Sequence, residues 1–266
     1  MSGFYDTHVH FPAEPSTVAS WLDRADAAGV THMLAVGGNP ELDAGARLAF
    51  QTAPERVRLA LGLDRTQASR PDARVAADAL LTGPDQAGLS AVGELGLDFH
   101  YHREADERRL QCALMEGQLA LAARIERPVI IHTREADADT LALLRDARAL
   151  PWFRRDRPGV VHCFTGGLAF AEALLELGYF LSFSGIVTFA NAAPLRAVAR
   201  AVPGDRLLIE TDSPYLTPVP LRGRPNEPSH VPHVAACLAR ARGAGLDELA
   251  ALTSANAVRL FAPGDD

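Results

Sequence analysis

The sequence predicts an α/β protein whose leading architecture is a closed parallel (β/α)8, TIM-like barrel, with its active site at the C-terminal ends of the strands. Three observations predict it. Short apolar, β-branched runs alternate with longer amphipathic stretches along the chain, eight of each. The 266 residues match the length that one such barrel fills, about 250. No Ser/Gly-rich linker, charge block or short-period repeat divides the chain, so residues 1–266 read as a single domain. An open doubly wound sheet of similar size is the rival, and periodicity alone does not separate the two.

The predicted strands cover residues 4–10, 32–36, 57–63, 89–95, 128–133, 159–164, 179–184 and 206–212. Each is rich in Val, Ile, Leu or Phe and is too short to read as a helix. The predicted helices cover residues 16–28, 41–52, 72–81, 103–123, 135–149, 168–177, 192–201 and 231–244. The clearest is 103–123, with Leu110, Leu114, Gly117 and Leu121 on one face and Glu104, Arg108 and Arg109 off it. Gly62, Gly88, Gly159, Gly178 and Pro203 punctuate the connections. A proline-rich loop, 214–232, follows Asp212, and loops of that length in compact domains usually serve function.

Composition narrows the function. With 48% hydrophobic and 22% charged residues, collagen, low-complexity disorder and fibrous classes are excluded. No apolar run reaches the roughly 18 residues of a membrane span, and the first residues lack a signal-peptide pattern. Cys112, Cys163 and Cys237 are odd in number and widely spaced, as in reduced thiols. A cytoplasmic protein without membrane contact is expected, and a monomer fits. The net charge of -7 gives no global basic field for long nucleic acid, which leaves a local, metal-assisted phosphate site.

Six residues carry the chemistry. His8 and His10 project to one face of the first strand, because residues i and i+2 share a face. Such a pair alone is a weak signal. Glu94, His132, His162 and Asp212 then interrupt the fourth, fifth, sixth and eighth strands towards their C-terminal ends. Burying one such group unpaired costs several kcal/mol, so six at one rim imply compensation by bound cations. Four imidazoles and two carboxylates suit two divalent ions. His8, His10 and Asp212 are assigned to one ion, His132 and His162 to the other, and Glu94 to both. All 26 basic residues are arginine, so no carbamylated lysine can bridge the pair and Glu94 is the candidate bridge. With four nitrogen ligands, Zn, Mn or Ni suit tight occupancy, and Mg is a further candidate for turnover.

These motifs resemble the TatD family of metal-dependent deoxyribonucleases, a branch of the amidohydrolase-like barrels, from Asp6 to about Phe261. The likeness rests on Asp6-Thr7-His8-Val9-His10, Gly93-Glu94-Leu95-Gly96-Leu97-Asp98, Ile131-His132-Thr133-Arg134, His162-Cys163-Phe164-Thr165-Gly166, Ser182-Phe183-Ser184-Gly185 and Glu210-Thr211-Asp212-Ser213-Pro214-Tyr215, with Arg222-Gly223 and Asn226-Glu227-Pro228 beyond them. The resemblance implies a TIM-like barrel, a two-metal centre on the six ligands and phosphodiester hydrolysis on DNA ends or short nucleic acid, of the 3′-5′ exonuclease type. In one place the chain departs from the family. Where members carry Gly-x-His-Pro after the third strand, this sequence reads Gly62-Leu63-Asp64-Arg65. Asp64 then recruits a further cation, or Arg65 takes over the phosphate contact, or the substrate differs; a solvated loop pair is the plain alternative.

The expected mechanism is attack by a water activated between the two ions, with Asp212 as general base and Glu94 as the bridging catalytic carboxylate. Asp6 and Glu210 are candidate partners for the second nitrogens of ligating histidines, and Asp98 is a supporting acid near the rim. Arg134, Arg222, Arg65 and Asp64 are candidate substrate contacts, with Thr165 at a helix start and Tyr215 as a stacking surface. An ester or amide hydrolase, such as an aminoacyl-tRNA deacylase, is the alternative enzyme class. A metal-binding barrel without turnover is the non-enzymatic one.

Overall fold

The computed structural model describes residues 3–83 and 88–261. The first two and last five residues of the predicted 1–266 domain, and 84–87, lie outside the described residues. The strands are β1 (Phe4–Val9), β2 (Val30–Val36), β3 (Val57–Leu61), β4 (Leu89–Asp98), β5 (Val129–Arg134), β6 (Gly159–Val161), β7 (Phe180–Phe183) and β8 (Leu207–Ile209). They form one sheet in sequence order, each parallel to the next. Just past the strand ends the sheet closes on itself. Val9 bridges Ser213 in parallel, the His10 N–H donates to the Ser213 carbonyl at 2.9 Å, and the Asp212 N–H donates to the His8 carbonyl at 3.0 Å. An open doubly wound sheet reverses its strand order and keeps two edges, so the barrel reading holds and its rival fails.

Helices α1 (Pro15–Ala27), α2 (Pro40–Thr52), α3 (Ala73–Thr82), α4 (Ala105–Arg124), α5 (Asp137–Ala147), α6 (Leu168–Glu176), α7 (Ala193–Ala201) and α8 (Val231–Arg242) alternate with the strands. One apolar layer lies inside the barrel and takes residues from every strand: Tyr5, Leu34, Val36, Ala60, Ala91, Ile130, Val160, Phe180 and Leu208. A ninth helix, α9 (Leu246–Phe261), adds Ala257, Leu260 and Phe261 to this layer and covers the N-terminal mouth. No helix is predicted from the sequence beyond residue 244. The buried face of α9 is largely Ala, Thr and Asn, which blurs the apolar stripe that marks a helix.

Two further corrections bear on the site. The predicted face of 103–123 is rotated: Leu110 is 40% exposed, while Gln111, Leu114, Met115, Gln118, Leu119 and Ala122 are buried. Two glutamines on the inner face displaced the apolar pattern. Strands β1, β6 and β8 also end one to three residues early, so His10, His162, Glu210 and Asp212 stand just beyond regular strand structure. Strand β4 instead runs on to Asp98. Among the described residues no helix is long and apolar enough to cross a membrane.

Candidate metal centre

The site is built where the strands stop. Glu94 lies within β4 between two glycines that let the strand approach its neighbours. A Cβ on Gly93 would collide with Ile130, and one on Gly96 with the His132 backbone. Both glycines have φ near +150°, a region L side chains rarely adopt, at 154° and 146°. The Gly93–Glu94 peptide is cis. Beyond β8, Asp212 takes a left-handed φ of 57°, and Cys163 beyond β6 takes 43°. Non-glycine residues in this region concentrate at functional turns.

Glu94 is central, and its two oxygens face different partners. Oε2 lies 3.5 Å from Nε2 of His8 and 3.5 Å from Nε2 of His10. Those two nitrogens are 3.1 Å apart, and each is 3.8 Å from Asp212 Oδ1. Oε1 lies 3.3 Å from His132 Nδ1 and 3.7 Å from His162 Nε2, which are themselves 3.3 Å apart. The His8 and His162 rings stack at 3.9 Å, so the two halves of the cluster share a wall. His8 therefore converges with Glu94 and His162 as well as with His10 and Asp212.

These separations fit bound cations. Donor atoms about 2.0–2.1 Å from one tetrahedral ion stand about 3.4 Å from each other, and cis donors of an octahedral ion about 3.0 Å. The spacings found, 3.1 to 3.8 Å, bracket the tetrahedral value and begin just above the octahedral one. The second ring nitrogens, His8 Nδ1, His132 Nε2 and His162 Nδ1, are turned away from Glu94 and are buried without a well-formed hydrogen bond.

Burial and neighbouring charges divide the protonation states within the cluster. Burial holds the His8 imidazole down at about 3, helped by the nearby His162, so its ring stays neutral. Burial also lowers His132. Burial alone would raise Glu94, but His162, His10 and His8 outweigh it and hold the carboxyl well below its usual range. His162 mirrors this: burial works against its charge, yet Glu94 and Glu210 keep it well above the usual imidazole range. Burial pushes Asp212 up to about 7 against the pull of His162 and His10.

The supporting residues differ in part from expectation. Glu210 Oε1 stands 3.4 Å from His162 Nδ1 and accepts the Cys163 N–H at 2.6 Å. Asp98 Oδ2 lies 3.7 Å from His132 Nε2, while its Oδ1 accepts the backbone N–H groups of His100 and Tyr101. Asp6 touches no ring. Its carboxylate accepts the N–H groups of His8 and Thr211 and the Thr211 hydroxyl, tying the end of β1 to the Asp212 turn. Burial raises Asp6 to about 8 against the pull of Thr211.

Asp64 is also corrected. It caps the 3-10 turn that opens at Arg65, accepting from Thr66 N and Oγ1, and its Oδ2 takes the Asn39 side-chain amide at 3.3 Å. It is a buried structural cap. Arg65 instead reaches the centre, where its guanidinium donates directly to Glu94 Oε1. At the rim, Arg134 lies over the Tyr101 ring at 4.8 Å and Arg222 over Phe189 at 3.8 Å. Tyr215 is 58% exposed, with its ring 6.3 Å from that of His10, and Thr165 is exposed near the start of α6.

Sequence reasoning missed three anchors. Gln118 accepts the Leu63 N–H and donates to the Leu63 carbonyl, both at 2.8 Å, fixing the segment that presents Arg65. Gln111 accepts the Asp98 N–H at 2.8 Å. Asn226 donates to the Thr211 and Tyr215 carbonyls, holding the 214–232 loop onto the Asp212 turn. An amide facing the core of an otherwise apolar helix is the signal that could have found the two glutamines.

A family model for the TatD related DNase family matches residues 5–262. The chain is 48% identical over 176 residues to the uncharacterized metal-dependent hydrolase YcfH of Escherichia coli strain K12, a match covering 66% of this chain and 64% of that protein. It is 39% identical over 245 residues to the 3'-5' ssDNA/RNA exonuclease TatD of Edwardsiella piscicida, covering 90% of each. The crystal structure of YjjV, a TatD homologue from E. coli K12, superposes with a TM-score of 0.82 at 32% identity, covering 97% of each chain.

Proposed function

Because the chain belongs to the TatD-related DNase family, a family of metal-dependent hydrolases, we propose that it is a metal-dependent phosphodiesterase, a deoxyribonuclease of the 3′-5′ exonuclease type acting on DNA ends or short nucleic acid. It works as one barrel domain with two divalent cations of the Zn, Mn, Ni or Mg class. The observation that carries the reading is the division of Glu94, one oxygen towards His8 and His10 and the other towards His132 and His162. His8, His10, Asp212 and Glu94 would hold one cation, and His132, His162 and Glu94 would hold the other. When bound, such a pair lowers the pKa of water towards 7 and offsets charge that builds on a phosphoryl group.

The chain's own residues do the rest. Asp212, with its carboxylate 3.8 Å from both His8 and His10, is placed to take the proton of the attacking water. Glu210 and Asp98 set the orientation of the His162 and His132 rings. Arg134 and Arg222 offer guanidinium groups at the rim for the flanking phosphates, and Tyr215 offers a ring to an unstacked base. The three free cysteines suit a reducing compartment such as the cytoplasm.

The test pairs elemental analysis with digestion of single-stranded DNA bearing a free or a blocked 3′ end. Close to two ions per chain, cleavage only from the free end and loss of cleavage with a chelator are expected. Inertness towards DNA together with turnover of ester or amide substrates would move the assignment to that hydrolase class. Two bound ions with no turnover of either would leave a metal-binding barrel.

A further inference from the structure

The geometry points to Arg65 as a built-in substitute for one cation: its guanidinium and the ion on the His132–His162 side occupy Glu94 Oε1 in alternation, and loading of that ion releases Arg65 towards the mouth, where it takes a phosphate oxygen. The inference rests on the two-ion reading above and adds an order of loading to it.

The asymmetry of Glu94 carries it. Oε2 is the oxygen paired with His8 and His10, whereas Oε1 is the one paired with His132 and His162 and also accepts a hydrogen bond from Arg65 Nη1. A cation shared by His132, His162 and Oε1 would have to sit against the same oxygen that the guanidinium already holds. Two positive charges there would be only a few ångströms apart, in a site where water screens little. One of them can leave. Glu94 is about 5% exposed at its side chain and fixed between two strands, while the Arg65 side chain is 25% exposed and sits on a short turn.

The rest of the segment is built to present that side chain. Asp64 spends both oxygens on the turn and on Asn39, so it supplies no carboxylate to a third ion. Gln118 pins Leu63 through both backbone groups. The backbone is held from two sides, which leaves the guanidinium as the mobile part. This accounts for Arg65 in a chain whose Asp64-Arg65 replaces the family's His-Pro. Loading then follows an order: the His8–His10–Asp212 side fills first, and the other side fills against a competing guanidinium. A phosphate that captures the released Arg65 favours the second ion, and the second ion favours phosphate by the same factor.

Calorimetric titration of the metal-stripped full chain with Mn2+ alone tests this, comparing the natural protein with Arg65→Met and Arg65→Gln. Thermal unfolding establishes that each variant is folded, and the glutamine variant stands in if the methionine one is not. Two binding steps are expected in the natural protein. In either variant the weaker step should tighten at least tenfold and the stronger by no more than about threefold, and the electron paramagnetic resonance signal of a spin-coupled Mn pair should appear at correspondingly lower Mn2+. An unchanged weaker step, or equal tightening of both steps, overturns the Arg65 inference and leaves the two-ion centre standing. One ion bound by natural protein and variants alike overturns both.

Discussion

Glu94 and Asp212 sit in one cluster yet differ in what their loss should do. Glu94 has an oxygen within 3.7 Å of all four histidines, and Asp212 Oδ1 lies 3.8 Å from His8 and His10. Glu94→Gln keeps the shape but removes the charge that offsets either cation. It should lose both ions by elemental analysis and at least about a hundredfold in kcat, as expected when metal and bridging ligand leave together. Asp212→Asn removes the carboxylate proposed as base while Glu94 and the imidazoles remain. It should keep at least one ion and lose about 10²–10⁴ in kcat, the usual contribution of a general base. Metal retained in full by Glu94→Gln would show that the bridge is elsewhere. The six cluster residues were legible because each is a charged or imidazole side chain at the end of an apolar run, where burial has to be compensated. Asp64 and Asp6 were legible as acids near the rim but not in their roles. Whether a carboxylate turns to backbone N–H groups or to a ring depends on local turns that spacing does not encode.

Helix α4 positions the rim from behind, through side chains that a hydropathy pattern assigns to solvent. Gln118 satisfies both backbone groups of Leu63 in a fully buried setting. Gln118→Leu keeps the volume but strands an N–H and a carbonyl, which costs about 2–6 kcal/mol at about 1–3 kcal/mol for each group. Urea unfolding should show that loss, and a midpoint equal to the natural protein's would refute the clamp. Helix α2 supplies a pH-dependent counterpart. Asp43 accepts the Gly38 N–H, and burial lifts its carboxyl from an ordinary value near 3.8 to about 6. The folded state therefore binds this proton more tightly than the unfolded chain does. The associated stability is complete below about pH 4 and is lost as pH rises towards 6. Asp43→Asn keeps the acceptor without the charge, so it should be more stable than the natural protein above pH 6 and gain nothing below pH 4. A stability difference between the two that stays constant across this window would contradict the assignment. The strands were legible from β-branched runs, but the face of α4 and the whole of α9 were not. In both, polar or small residues occupy buried positions because they bond to backbone or fit a narrow space.

At the scale of the whole molecule, the net charge of -7 and the position of the arginines set how substrate is held. Arg134 and Arg222 are exposed over aromatic rings at the rim, and Arg65 sits deeper against Glu94. Three such contacts on a single strand correspond to a slope of about -2 in log affinity against log salt. Raising salt from 50 to 200 mM should therefore raise KM for a short single-stranded oligonucleotide about twentyfold, whereas a nuclease gripping six to ten phosphates would lose about 10³–10⁵ over the same range. Double-stranded ends should be handled less well, because the exposed Tyr215 ring can take a splayed base but not one stacked within a duplex. The measurement is KM at fixed free metal across the salt range, with single-stranded and blunt duplex oligonucleotides of one sequence. A slope steeper than about -5, or equal handling of the blunt duplex, would mean that a phosphate-binding surface away from the mouth holds the substrate.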